Sequence, residues 1–141
     1  MATVLIFDDE DRLLKMIGVY LQESGHVILQ GASAESAGEQ FTQVNGAVDL
    51  ILVDVALGVA SALEIGVELK RQTPKLKLLF VSDHPFAKWD ARDLALFHEL
   101  PPDSVRVLQR PFSALDLLIK VEGLLGQLPE TVPASRAMGA S

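Results

Sequence analysis

The stretch "LILVDVALG", Leu50 to Gly58, runs four apolar residues together and ends them in a carboxylate. It is too short for a helix, and it lacks the apolar–polar alternation of a strand with one wet face. A continuous run of this length fits a strand buried on both faces, as in a parallel sheet. Four more runs share its character: Val4 to Phe7, Val27 to Leu29, Leu78 to Val81 and Val105 to Leu108, all rich in Val, Leu and Ile. Between them the apolar spacing becomes helical. Leu14, Ile17 and Leu21 share one face, and Leu115, Leu118, Ile119 and Leu125 share another. Ser61 with Glu64 forms a candidate capping box, and Ser113 with Asp116 a weaker one. Gly25, Gly46 and Pro74 stand where helices are expected to stop. Strands and helices in strict alternation predict a doubly wound, five-stranded α/β fold with helices on both faces of a parallel sheet.

The chain has 141 residues, 49% of them hydrophobic, which suits one domain with one well-filled core. Cysteine is absent, so disulfides and thiolate metal sites are excluded, and a reducing compartment fits. A net charge of -7 and the lack of any Lys/Arg run argue against direct nucleic-acid binding. "MATVLIFDDED" has no basic region and its apolar run is cut by acids, so it reads as neither a signal peptide nor a membrane span. The expected setting is the cytoplasm, with no membrane partner. Residues 1–127 are expected to form the domain. From Pro129, "PETVPASRAMGAS" has no periodicity, and residues 128–141 are expected to be a disordered tail or linker.

In an open parallel sheet, ligands bind outside the carboxyl ends of the strands. The first strand ends in Asp8, Asp9 and Glu10, the third in Asp54, the fourth in Ser82 and the fifth in Arg110. Parallel strands put all of these on one edge. Two unit charges about 4 Å apart cost roughly 4 kcal/mol at an effective dielectric near 20, so clustered carboxylates there need an offset. A hard divalent cation is one candidate and Arg110 is the other. Each residue also has a plainer reading. The acids could start a helix, Asp54 could sit in a turn, Ser82 could cap the next helix, and Arg110 could make a surface ion pair. Their joint placement at the same ends of four strands favours a shared functional site.

With the acid pair in "VLIFDDE", the lone Asp54 after an apolar strand, Ser82 in "LLFVSDHP" and the cation before Pro-Phe in "QRPF", the sequence resembles the receiver domain of bacterial two-component response regulators. The similarity covers about residues 2 to 127. It implies a flavodoxin-like receiver fold and assigns roles. Asp54 would be the phosphoacceptor, taking a phosphoryl group from a histidine kinase or phosphotransfer protein. Asp9 would ligate Mg²⁺ directly and Asp8 through water, with Asp54 and the carbonyl of Ala56 completing the protein ligands. Ser82 would hydrogen-bond a phosphoryl oxygen, and Arg110 would occupy the position of the family's lysine. The proline after the cation often follows a cis peptide in the family, and Pro111 allows one here. A downstream protein target or effector domain would read the state, and homodimerisation stays open. The chain would be a stand-alone receiver or a fragment.

Several positions depart from the family. Arg110 replaces lysine, and Asp83 stands after Ser82 where a small residue is usual. Val107 lies where many members carry a switching Tyr or Phe, Gly58 replaces a common proline, and Ala62 a glycine. The segment from Ser82 to Arg110 is longer than usual, mostly around "FHELPPDSV". Arg110, a planar fork, is expected to pair with Asp54 or Asp8 when no metal is bound. Without a ring at Val107, switching is expected to run through Ser82 and the segment from Phe86 to Ser104. Trp89, Leu96, Phe97 and Leu100 fit one helical face, read as packing. His84 reads as an exposed loop residue, and His26 and His98 show no metal spacing.

Three functions compete. The first is a phosphorylatable receiver, a switch and not a turnover enzyme. The second is a degenerate receiver that binds proteins independently of phosphorylation, which Arg110 and Asp83 favour. The third is a Mg²⁺-dependent phosphohydrolase, for which Asp83 and His84 are the nearby acid–base candidates. A flavodoxin-like cofactor carrier is rejected, because "DDED" would repel a phosphate.

Overall fold

The structure is a computed structural model that describes residues 2–7, 12–31, 34–55 and 59–126. Its strands are β1 (Thr3–Phe7), β2 (Val27–Gly31), β3 (Leu50–Asp54), β4 (Lys77–Ser82) and β5 (Val105–Gln109). Its helices are α1 (Arg12–Glu23), α2 (Ala34–Gln43), α3 (Val59–Gln72), α4 (Ala91–His98) and α5 (Ala114–Leu124). The strands form one parallel sheet in the order β2-β1-β3-β4-β5. The pleat sends alternate residues to opposite sides. Val4 and Ile6 meet Leu14, Ile17 and Leu21 of α1 and Leu117, Val121 and Leu124 of α5. Leu5 and Phe7 meet Ala37 and Phe41 of α2 and Leu63 and Val67 of α3 on the other side, where α4 also packs. Burying each such Leu or Ile contributes about 1.5–3 kcal/mol.

Both faces of β1, β3 and β4 are buried as expected. The edge strands differ. Much of β2 is partly or fully exposed, Val27 included, and the middle of β5 is only half-buried. An apolar run alone does not tell a central strand from an edge one. The buried face of α5 is also a correction. It consists of Leu117, Val121 and Leu124, while Leu115 is exposed and Leu118 and Leu125 pack only partly. This helix is apolar around most of its circumference, so spacing alone does not single out the core side.

Helix starts divide the same way. Ser113 and Asp116 make a full capping box on α5, with reciprocal hydrogen bonds of 3.0 Å. Ser61 lies inside α3, which begins at Val59, not at its start, and Glu64 pairs with Arg92 of α4 at 3.3 Å. Trp89 is likewise not on a helix. It follows a 3-10 turn at Phe86–Lys88 and precedes Asp90, whose side chain accepts from Asp93 N and caps α4. Trp89 is nevertheless buried, with Phe86 and Phe97 around it at ring separations of 5.0 and 5.9 Å. Stop signals act as expected: Gly25 takes φ +98° just after α1, and α3 ends two residues before Pro74. In its last turn, buried Lys70 donates through Nζ to the carbonyls of Pro74 and Leu76 beyond the helix end, both at 2.6 Å. Burial pushes the Lys70 ammonium below its usual pKa, with Lys77 acting in the same sense and Asp103 against it. The expected tail, residues 128–141, lies outside the described residues.

Candidate functional site

The sheet register builds the site. Asp54 is the last residue of β3 and pairs with Val81, so Ser82 at the end of β4 stands one residue further along the neighbouring strand. Ser82 pairs with Gln109, the last residue of β5. The next residue continues this ladder, since Arg110 N donates to Ser82 O at 2.8 Å. Asp54, Ser82 and Arg110 therefore reach one edge because three parallel strands end in register there. The Arg110–Pro111 peptide is cis and the chain turns away at that point.

Electrostatics join these residues further. Arg110 Nη2 donates to Asp54 Oδ2 at 3.0 Å. The Asp54 side chain is only 6% exposed, so this carboxylate meets its cation in a largely desolvated place, where charge-assisted bonds gain strength. Arg110 Nη1 donates to Asp83 Oδ1 at 3.2 Å. The guanidinium also stands over the ring of Phe112, with Cζ 5.8 Å from the centroid, within cation–π range. Ser82 is fully buried. Its Oγ donates to His84 O at 2.9 Å and accepts from His84 N at 3.1 Å, which ties the turn after β4 onto itself.

Of the residues assigned to the site from sequence, Asp54, Ser82 and Arg110 are brought together. Asp8, Asp9 and Ala56, together with Glu10 and Gly58, lie outside the described residues. Among the described residues no group of three or more His, Asp or Glu side chains is placed to hold a metal ion. Asp83 as an ion partner of Arg110 was not anticipated. The available signal was an acid directly after the end of β4, and it reads from sequence as bulk, not as a charge partner. Phe112 was legible only as part of "QRPF". His84 is exposed. His98 Nδ1 lies 2.7 Å from Leu94 O, and His26 Nδ1 accepts from Ala2 N at 2.9 Å while its Nε2 lies 3.5 Å from Glu122 Oε1. In α4, burial raises the Asp93 carboxyl above its usual pKa, with Asp90 adding to the effect.

Comparison with known proteins bears on this arrangement. The family model described as "Response regulator receiver domain" matches residues 4–95. The sensor kinase CckA of Brucella abortus (strain 2308) is 33% identical over 126 residues, covering 88% of this chain and 12% of that protein. The alkaline phosphatase synthesis transcriptional regulatory protein PhoP of Bacillus subtilis (strain 168) is 25% identical over 132 residues, covering 94% of this chain and 52% of its own. The chain thus spans about half, or much less, of these curated relatives. Among solved structures, a response regulator receiver domain protein from Clostridium thermocellum matches with a TM-score of 0.71 at 23% identity, over 90% of this chain and 96% of that one. A response regulator, TrrA, solved with the histidine kinase ThkA, matches at 0.65 and 24% identity, over 89% and 99%. At these identities the solved structures speak for the fold, and the family match, which runs from β1 into α4, decides the rest: the chain belongs to the response regulator receiver domain family.

Proposed function

We propose that this protein is a phosphorylatable receiver in which Asp54 takes a phosphoryl group from a histidine kinase or phosphotransfer protein in a Mg²⁺-dependent reaction. One observation carries the proposal: a nearly buried carboxylate, Asp54, stands beside a permanent cation and a buried hydroxyl residue at the carboxyl edge of the sheet. Transfer from phosphohistidine forms an Asp54 O–P bond and breaks the P–N bond. The electron pair returns to the imidazole, which takes up a proton.

The donors suit a hard cation. Asp54 presents carboxylate oxygen to an edge that already accommodates the positive charge of Arg110, and Asp8, Asp9 and the Ala56 carbonyl would supply further oxygen ligands. Bound there, Mg²⁺ would screen the incoming phosphoryl charge and favour in-line attack. The rest falls to the chain. Asp54 attacks as nucleophile. Ser82 exchanges its bonds with His84 for one to a phosphoryl oxygen. Arg110, tethered by its backbone bond to Ser82, stabilises the added charge. The reaction is a single transfer that sets a state, so the protein acts as a switch whose output passes to a protein target or effector domain. Among the described residues no helix is long and apolar enough to cross a membrane.

The test is labelling with a small phosphodonor such as acetyl phosphate, with and without Mg²⁺. Wild type should take one phosphoryl group only when Mg²⁺ is present, and Asp54→Asn should take none. Undiminished labelling of Asp54→Asn would show that the acceptor lies elsewhere. A second reading, a receiver that binds its partner without phosphorylation, draws on the fact that both Asp54 and Asp83 already engage Arg110. Failure of wild type to label at all would favour that reading.

A further inference from the structure

Arg110 is held from two sides, by Asp54 through Nη2 and by Asp83 through Nη1. The two carboxylates stand in different surroundings. The Asp83 side chain is 57% exposed, and an isolated ion pair in such a place contributes little. Asp54 is nearly buried, however, and the guanidinium between them is rigid and planar, so whatever fixes one nitrogen orients the other. The ring of Phe112 under the guanidinium narrows its freedom further. Asp83 also lies within the turn that Ser82 Oγ closes onto His84, so its backbone is held at the mouth of the site.

We propose that Asp83 is a positioning residue that restrains phosphorylation: it acts as an internal anion that, by holding Nη1, keeps Nη2 of Arg110 on Asp54. The inference rests on Asp54 being the phosphoacceptor and adds a regulator to that site. With acetyl phosphate, transfer forms an Asp54 O–P bond and breaks the donor's O–P bond, and acetate leaves with the electron pair. Phosphoryl oxygens are strong acceptors for a guanidinium. As the group arrives, Nη1 passes from Asp83 to it, and Asp83 is released together with its turn. Until then, the Asp83–Arg110 contact must be given up for transfer to proceed, and labelling is slowed.

The experiment compares five versions of the 141-residue chain: wild type, Asp83→Asn, Asp83→Glu, Arg110→Lys and the double variant Asp83→Asn/Arg110→Lys. Each is labelled with acetyl phosphate at saturating Mg²⁺ and equal ionic strength, and the initial rates form a double-mutant cycle. Asp83→Asn should label about three- to tenfold faster than wild type, the size expected for contacting charged residues. Asp83→Glu keeps the carboxylate and should stay as slow as wild type. In the Arg110→Lys background, Asp83→Asn should change the rate by less than about twofold, because a single ammonium does not span both carboxylates. Equal acceleration in both backgrounds would mean that Asp83 acts by charge repulsion alone, and would overturn the proposal. So would an Asp83→Asn protein no faster than a wild type that labels. Failure of every protein to label would sink the phosphoacceptor reading and this inference together, which separates that failure from the other two.

Discussion

Exchanging Arg110 for lysine keeps the charge and removes the fork, so it isolates geometry from net charge. In the resting protein the guanidinium holds Asp54 Oδ2 at 3.0 Å. Hydrogen bonds to charged groups contribute about 1.5–3 kcal/mol when well buried. Here the acid is 6% exposed but the arginine is 24% exposed, so solvent screening brings the figure to about 1 kcal/mol. A lysine ammonium is a compact point charge on a flexible stem and holds one carboxylate less firmly. If Asp54 ligates Mg²⁺ as proposed, the metal must share or displace the Arg110 contact. Arg110→Lys should therefore bind Mg²⁺ about fivefold more tightly, the affinity equivalent of about 1 kcal/mol. Calorimetric titration of the two proteins at matched ionic strength tests this, since salt screens surface charge within about 10 Å at 0.1 M. Equal or weaker Mg²⁺ affinity in Arg110→Lys would refute the reasoning and reduce Arg110 to a plain substitute for lysine.

Two further outcomes follow from buried polar groups away from the site. Lys70→Met should lose about 1–3 kcal/mol in urea denaturation, because the carbonyls of Pro74 and Leu76 lose their donor. The Lys70 pKa is lowered in the folded state, so between that value and 10.5 the unfolded chain binds more protons and wild-type stability rises with pH; the gap to Lys70→Met should widen across that window, and a gap that narrows would show the sign is wrong. Trp89, the only tryptophan, is buried with no acceptor for its Nε1–H among the described residues, and an unmet buried donor costs about 1–3 kcal/mol, which favours any rearrangement supplying one. Phosphorylation that draws Ser82 and Arg110 toward Asp54 should thus shift Trp89 emission, and constant emission at full labelling would rule out this route.

Much of the fold was legible because buried parallel strands leave a signal that depends on little else. Leu50 to Val53 and Leu78 to Val81 are apolar without interruption and lie at the sheet centre. Where two elements compete for one pattern, legibility ends. Val27 belongs to an equally apolar run yet is exposed, because strand order, which no local pattern encodes, makes β2 an edge. The face of α5 failed because Leu occurs on most of its sides, and the position of Trp89 failed because a helical stripe can be imitated by a 3-10 turn followed by a cap. At the site, chemistry and strand ends sufficed to bring Asp54, Ser82 and Arg110 together. The direction in which Asp83 points is set by the turn that Ser82 closes on His84, and that is a tertiary detail of two hydrogen bonds.

That detail also connects two departures from the family that appear unrelated along the chain. An arginine at position 110 and an acid at position 83 are 27 residues apart. In the folded protein they are one feature. A lysine at 110 could hold one carboxylate at a time, and Asp83, 57% exposed, would then be left to solvent. The guanidinium answers both, at 3.0 and 3.2 Å, with its Cζ 5.8 Å from the Phe112 ring centroid. The acid at 83 thus gives a reason for arginine over lysine, and the arginine gives a reason why an acid is tolerated at the mouth of a site that must admit a phosphoryl group. Neither substitution marks a decayed site on this view. On the proposed reading, the two together raise the threshold for phosphorylation while leaving Asp54, Ser82 and a cation in place at the ends of β3, β4 and β5.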